Sequence, residues 1–304
     1  MTRQRLGQHF LKDATWRARI LRALPVTNTA SSQIQNLATS RPPNLPPSPD
    51  TWLEIGAGHG EMTRELAQRA ARVFAIEIDA KLLPRLDALA RELGNVSVVA
   101  GDVLALDFAQ IAGGARFHVY GSLPYYITSP ILQRLFEHAE RIASINVIVQ
   151  LEVAVRMTAK PGRRDYGYLS AVTQFYTQPE IALRLPPGAF QPRPKVASAL
   201  VRMTLPGERA HLDMARELAQ NNISSPEPTG ATVPAPAVAR VLAPEDNERA
   251  FLEFVGHCFE QKRKTIANNL RARFPAPQVE AALAATAIKR QARAEELRLR
   301  DFAT

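Results

Sequence analysis

The tetrapeptide Ser122-Leu123-Pro124-Tyr125 brings together groups that could hold a planar aromatic amine. It offers a hydroxyl oxygen, backbone carbonyls beside a rigid proline, and a ring that can stack on a base. The exocyclic amine of an aromatic base is a weak nucleophile, because its lone pair is delocalised into the ring. Acceptors that hold its N–H bonds turn the lone pair towards an electrophile. The tetrapeptide therefore predicts a site for chemistry on a base amine.

A glycine-rich turn precedes this motif in the chain. The apolar run 52–55 passes through the pattern G-x-G-x-G at 56–60 into a helical stretch that begins at Glu61. This is the form of the first strand–helix unit of a nucleotide-binding sheet. The spacing differs from the dinucleotide fingerprint, and the carboxylates of Glu54 and Glu61 disfavour a pyrophosphate. We therefore predict the cation S-adenosylmethionine here, with a dinucleotide as the alternative.

Two further carboxylates follow apolar runs that are typical of strands. Glu77 ends the run 73–76, about 20 residues after the glycines, where an acidic residue usually binds a ribose diol. Asp102 follows the run 96–100 and could accept a hydrogen bond from an adenine amino group. A solvated strand end is the alternative for Glu77, and an ordinary turn residue is the alternative for Asp102. Their order after the glycine turn favours the binding role.

At this point the sequence resembles the small-subunit ribosomal RNA adenine N6-dimethyltransferases (the KsgA and RsmA family), from about Leu6 to Asp301. Besides the tetrapeptide, the resemblance rests on segments spread along the whole chain. They are Leu6–Leu11, Gln150–Ala154 with Arg156 and Met157, Asp165–Ser170, Phe190–Ala199 and Arg263–Leu270. The related erythromycin-resistance methylases share the first half, and the segment at 263–270 favours the enzyme of small-subunit assembly.

The resemblance implies roles for particular residues. It implies that the donor is bound by His9, Leu11, Gly56, Glu77, Asp102 and Ser122. It also implies that Tyr125 and Phe190 sandwich the flipped base, while Ser122 and the carbonyl of Leu123 or Pro124 orient its amine. The family usually has asparagine where this chain has Ser122. We expect this departure to affect rate and the degree of methylation, and to leave the fold unchanged.

Composition and charge agree with an RNA partner. The 304-residue chain has a formal net charge of +9, and positive charge gathers in residues 1–22, 184–209 and 251–304, at net +5, +4 and +4. Basic segments on both sides of a base-binding motif indicate a rim that tracks phosphates. The expected RNA contacts are Arg193, Lys195, Lys262, Arg263 and Lys264. A single cysteine, Cys258, excludes a disulfide framework, and scattered histidines predict no metal site.

The predicted fold class is α/β. Residues 1–205 alternate strand and helix, which predicts a Rossmann-like class I methyltransferase domain with a mainly parallel, doubly wound sheet. Residues 206–304 are helical in pattern and predict a smaller all-α, RNA-binding domain. Proline-rich stretches at about 27–50 and 221–244 are expected to be mobile insertions. The chain has no apolar run of membrane length, so we expect a cytoplasmic monomer without a membrane partner.

Two hypotheses of different class follow. In the first, the protein dimethylates N6 of two adjacent adenosines near the 3′ end of 16S rRNA, within the 30S subunit or its precursor. In the second, Ser122 marks a weak or inactive assembly factor that binds pre-30S RNA, although intact donor-binding residues argue against it. A DNA adenine methylase or a resistance-type rRNA methylase is a third alternative, and these lack the basic helical extension at the C-terminus.

Overall fold

The computed structural model describes residues 9–25, 50–114, 116–205 and 244–302. Nearly all of the two predicted insertions, residues 27–49 and 221–243, lie outside this part of the chain. The strands are β1 Phe10–Leu11, β2 Thr51–Ile55, β3 Arg72–Glu77, β4 Val96–Ala100, β5 Phe117–Ser122, β6 Ile142–Gln150, β7 Gln178–Leu185, β8 Phe190–Gln191 and β9 Ser198–Thr204. The helices are α1 Ala14–Ala23, α2 Glu61–Ala67, α3 Leu83–Leu93, α4 Phe108–Ala112, α5 Thr128–Phe136, α6 Leu151–Thr158, α7 Tyr168–Tyr176, α8 Pro244–Phe259, α9 Ile266–Leu270 and α10 Ala276–Ala285.

Seven strands form one sheet in the order β4-β3-β2-β5-β6-β9-β7. The five strands from β4 to β6 in this order are parallel, and β9 runs antiparallel to both β6 and β7. The central strands are buried almost throughout, because helices cover both faces of a parallel sheet. This arrangement confirms the predicted Rossmann-like class. It also brings the carboxyl ends of β2, β3, β4 and β5 to one edge, where ligands bind in such sheets.

A second, two-stranded sheet ties the start of the chain to a distant segment. Strand β1 pairs antiparallel with β8, so that Leu11 lies opposite Phe190 and Phe10 opposite Gln191. The backbone N–H of Lys12 also donates to the Ala189 carbonyl at 3.1 Å. Helix α1 then begins at Asp13, whose side chain caps its first turn. The N-terminal strand is thereby fixed beside the segment that carries Phe190.

The described residues divide into two compact units, 9–155 with 177–205 and 156–176 with 244–302. The predicted boundary at 205/206 therefore needs a correction, since residues 156–176 belong with the helical unit. The reason is hydrophobic packing: Tyr166 and Ala171 are buried in the same cluster as Val255 and Cys258 of α8. Burial raises the pKa of the Cys258 thiol to about 12, as expected of a packed cysteine.

Helix lengths in the second unit are shorter than apolar periodicity suggests. Helix α9 spans five residues, and 294–302 forms two 3-10 turns instead of one helix. In the part of the chain that the structure describes, no helix is long and apolar enough to cross a membrane.

The turn before α2 generates a stability prediction with an internal control. Gly60 and Gly94 both have positive φ, at 85° and 75°, so alanine costs about 1–2 kcal/mol at either position. A Cβ at Gly60 would also lie 2.6 Å from the Leu89 side chain, whereas nothing lies within 4 Å at Gly94. We expect Gly60→Ala to lower the free energy of unfolding by about 1 kcal/mol more than Gly94→Ala. Denaturant unfolding measures both, and equal losses would contradict the clash.

Candidate active site

A cavity of about 240 Å³ opens at the carboxyl edge of the sheet in the first unit. Its lining includes every residue that the sequence assigned to the donor and to the reacting base. These are His9, Leu11, Gly56, Glu77, Asp102, Ser122, Leu123, Pro124, Tyr125 and Phe190. The residues lie on six separate strands or directly beside their ends. The fold therefore brings the two predicted sites into one space.

The glycine turn forms the floor of this cavity. Gly56, Gly58 and Gly60 all have positive φ, between 61° and 85°, which other residues rarely adopt. The N–H of Gly56 donates to the Ile76 carbonyl at 2.9 Å, which fixes the turn against β3. A Cβ at Gly58 would lie 3.0 Å from the ring of Phe10, so the N-terminal strand covers the turn closely.

Glu77 organises the backbone around the cavity. One carboxylate oxygen accepts the N–H of Gly58 at 2.8 Å, and the other accepts those of Ile78 and Asp79 at 3.0 and 2.9 Å. The residue is only 2% exposed. Glu77 thus holds two strand-end loops together, in addition to facing the cavity where the sequence predicted a ribose ligand. Charge-assisted bonds of this kind are among the stronger hydrogen bonds in proteins.

Glu54 is a buried acid that lines the same cavity. Its carboxyl accepts a 2.6 Å hydrogen bond from the Thr63 hydroxyl. Burial raises the pKa of Glu54 to about 8, and the nearby charges of Glu77 and Glu61 add to the rise, while the Thr63 bond opposes it. Glu54 therefore carries its proton at neutral pH, held beside other carboxylates.

The charges of the lining suit a cationic ligand. Glu54, Glu61, Glu77 and Asp102 contribute carboxyl groups, and no lysine or arginine lines the cavity among the residues that the structure describes. A pyrophosphate would meet carboxyl groups without a compensating cation. The sulfonium and ammonium of S-adenosylmethionine would meet favourable partners instead. The residues present therefore fit this donor, which would lie between the glycine turn and the tips of β3 and β4.

The acceptors of the tetrapeptide are not equivalent. The Pro124 carbonyl already accepts the Ile127 N–H and the Thr128 hydroxyl, each at 3.2 Å. A carbonyl has two lone-pair directions, so both are in use. The Leu123 carbonyl and the Ser122 hydroxyl have no hydrogen-bond partner within the described residues. Of the two carbonyls that the sequence left open, Leu123 is thus the available one.

The aromatic residues differ in how they are held. The Tyr125 hydroxyl lies 2.8 Å from that of buried Ser198, and its ring lies 5.6 Å from His9. The His9 Nδ1 donates to the Pro192 carbonyl at 2.7 Å. Phe190 contacts the cavity but is only 3% exposed, whereas Tyr126 is 58% exposed at its rim. The site therefore offers a ring held by a hydrogen bond, that of Tyr125, a buried ring, that of Phe190, and an exposed ring, that of Tyr126.

Sequence patterns indicated the lining but missed the residues that support it. Thr63, which bonds Glu54, belongs to none of the predicted motifs. Phe10 and Ser198 lie in segments that carry the family resemblance, but they act next to Gly58 and Tyr125, which are distant in sequence, so the motifs did not predict their roles. The predicted RNA contacts are exposed, Arg193 and Lys195 after β8 and Lys262, Arg263 and Lys264 in the second unit. The structure holds no nucleic acid to contact them, so their role stays a prediction.

This fold and site define a class I methyltransferase. A family model described as ribosomal RNA adenine dimethylase matches residues 1–216. The chain belongs to this family, and its enzyme class is that of the S-adenosylmethionine-dependent rRNA adenine dimethyltransferases.

Curated relatives agree with the family. The chain is 34% identical to ribosomal RNA small subunit methyltransferase A of Pelotomaculum thermopropionicum, over 99% of this chain and 89% of the relative. It is 38% identical to the protein of the same name from Acidobacterium capsulatum, over 83% of this chain and 79% of that relative.

Solved structures show the same architecture. The 23S rRNA methyltransferase ErmE is 27% identical, with a TM-score of 0.61 and 96% coverage of both chains. The expectation that such rRNA methylases lack the helical C-terminal extension is therefore wrong for this one, because the match extends over nearly all of both chains. A dimethyladenosine transferase from Plasmodium falciparum has a TM-score of 0.67 at 20% identity, covering 97% of this chain and 94% of that one.

Glu54 generates a prediction about donor binding. Its carboxyl is protonated at pH 7, and a cation bound nearby lowers its pKa. We therefore expect S-adenosylmethionine binding to release up to about one proton at pH 7 and to tighten as pH rises towards 8. Calorimetric titration in two buffers of different ionisation enthalpy measures the release.

Glu54→Gln is the matched control, because its amide oxygen can still accept from Thr63 while having no proton to lose. The proton release of the variant should be smaller than that of the wild type. Identical release by both proteins would contradict a role for Glu54 beside the donor.

Proposed function

We propose that this protein transfers methyl groups from S-adenosylmethionine to N6 of two adjacent adenosines near the 3′ end of 16S rRNA. The substrate is the 30S subunit or its precursor, and the reaction is coupled to subunit biogenesis. The observation that carries the proposal is the placement of free acceptors at Ser122 and Leu123, with the Tyr125 ring, in the cavity that also holds the carboxyl groups. An enzyme that acts on a base amine needs these groups within one space.

The protein groups orient the amine. The Ser122 hydroxyl oxygen and the Leu123 carbonyl oxygen each accept a hydrogen bond from one of the two N6–H groups. These two hydrogen bonds turn the nitrogen lone pair away from the base plane. Tyr125 holds the flipped base by its ring face, and Phe190 closes the other side. When bound, S-adenosylmethionine supplies an electrophilic methyl group, and the proton lost from N6 leaves to water. In the second transfer a single N–H bond remains, so one acceptor is sufficient to hold it.

The setting follows from the substrate. A ribosomal substrate places the protein in the cytoplasm, away from membranes. We further propose that it acts there as a monomer. Arg193 and Lys195 lie close in sequence to Phe190 and would contact phosphates beside the flipped base.

Ser122 provides the test of the proposal. Unmethylated small subunits incubated with the wild-type protein and donor should gain N6,N6-dimethyladenosine, detected by mass spectrometry of the rRNA. Ser122→Ala should lower single-turnover rates by roughly 5- to 150-fold, about 1–3 kcal/mol, because one buried N–H loses its acceptor. Ser122→Asn, which restores the usual residue of the family, should keep or raise the rate.

The assembly-factor hypothesis makes the opposite prediction for the same experiment. A wild-type protein that binds small subunits but transfers no methyl group would contradict the enzyme proposal. Activity gained by Ser122→Asn from an inactive wild type would show that the serine disabled the site.

Tyr125 generates a second prediction. Tyr125→Ala should slow the reaction by raising its barrier by about 1–3 kcal/mol, because it removes the ring on which the base stacks. Tyr125→Phe keeps the ring and loses the bond to Ser198, and Ser198→Ala loses the same bond from the other side. These two variants should show small and similar losses in single-turnover assays. Full loss in Tyr125→Phe with normal Ser198→Ala would instead give the hydroxyl a direct role on substrate.

A further inference from the structure

Two basic segments that lie about 100 residues apart in sequence meet in the second unit. The Lys262 ammonium donates to the Arg164 carbonyl at 2.6 Å. In the same two segments, the buried Tyr166 ring packs edge-on against the ring of Phe259, with the ring centroids 5.9 Å apart. Two independent contacts therefore hold residues 160–166 against residues 259–264. The sequence alone placed these segments in different domains.

Both segments are tight turns held by backbone hydrogen bonds, so the positions of their Cα atoms are fixed. The Arg163 N–H donates to the Lys160 carbonyl at 3.2 Å, and the Tyr166 N–H donates to the Arg163 carbonyl at 3.0 Å. In the other segment, the Lys264 N–H donates to the Gln261 carbonyl at 2.9 Å. Ordered cations lose less freedom when they bind a ligand than cations on a floppy loop do.

The cations of these segments are not neutralised by any carboxylate in the part of the chain that the structure describes. Among the described residues, no ion pair involves Lys160, Arg163, Arg164, Lys262, Arg263 or Lys264, and all six are exposed. Elsewhere in the same unit, carboxylates pair with arginines 249, 271, 273, 290, 293 and 300. Four acidic residues near these turns, Glu253, Glu260, Glu295 and Asp301, pair with other groups, and Asp165 lies within the first turn.

The chemistry of this surface fits the backbone of RNA. Guanidinium and ammonium groups bind phosphate oxygens, and six of them along two adjacent turns match a chain of phosphates better than a single anion. Tyr168 follows the first turn with 45% of its surface exposed, which provides an aromatic face beside the cations.

We propose that Lys160, Arg163 and Arg164 join Lys262, Arg263 and Lys264 in one surface that binds the phosphate backbone of small-subunit rRNA. This inference rests on the proposed function and extends it, because it assigns RNA contacts to a segment that the sequence placed in the methyltransferase domain. The surface would add affinity without reading the base at the reaction site.

The test replaces the two arginines and leaves the backbone carbonyl that holds Lys262. Binding of Arg163→Ala/Arg164→Ala to purified small subunits is measured over a range of KCl concentrations at fixed magnesium. Each lost phosphate contact should reduce the salt slope by about 0.7–0.9, so affinity near 0.1 M salt should fall roughly 25- to 60-fold. S-adenosylmethionine affinity and the thermal melting temperature should stay unchanged.

Two variants serve as controls. Arg72→Ala/Arg91→Ala removes the same charge from exposed arginines that lie outside the basic segments and have no ion pair among the described residues, and it should lower affinity far less. Arg163→Lys/Arg164→Lys keeps the charge and should retain most of the affinity.

The outcomes separate this surface from the reaction. If Arg163→Ala/Arg164→Ala binds small subunits as tightly as the charge-matched control does, the proposed surface does not bind RNA. The proposed function stands in that case, provided that the wild type still methylates small subunits. If the wild type binds small subunits but never methylates them, the proposed function is wrong. The salt slopes of the wild type and the alanine variant still show whether the proposed surface binds RNA. A wild type that binds no small subunit overturns both.

Discussion

The Glu77 carboxylate sets the geometry on which the rest of the site depends. It is buried at the end of β3 and accepts backbone N–H groups from the glycine turn and from its own strand-end loop. A buried carboxylate is tolerable because these donors replace its water. The same bonds fix the distance between the tips of β2 and β3, and so determine the width of the cavity. A shorter side chain would leave the N–H of Gly58 in the turn and those of Ile78 and Asp79 after β3 without their acceptors.

Charge is segregated between the two tasks that the protein performs. Carboxyl groups line the cavity, where burial keeps Glu54 protonated and limits the repulsion among them. Cations lie outside it, on the segment after β8 and on the turns of the helical unit. We expect this distribution to keep the phosphate backbone of RNA away from the space for the cationic donor and to attract it to the basic segments. The net charge of +9 is therefore less informative than its distribution.

Local sequence patterns predicted the sheet and the polar and aromatic candidates that line the cavity, because most of these residues lie at a strand tip next to an apolar run. The patterns failed where the deciding contact joins distant residues. Motif reasoning left the Leu123 and Pro124 carbonyls equivalent, and the bonds from Ile127 and Thr128 distinguish them. Residues 156–176 follow the sheet strands in sequence, so composition could not show that they belong to the helical unit, where Tyr166 packs against Phe259.

The pairing of β1 with β8 has a consequence for biosynthesis. One wall of the donor cavity comes from residues 9–11, and the partner strand that holds it ends at Gln191. A nascent chain emerging from the ribosome would have its glycine turn complete long before that wall can be fixed. Residues 9–11 thus leave the exit tunnel well before the strand that fixes them. The binding site closes only after β8 has been synthesised, about 180 residues further along the chain.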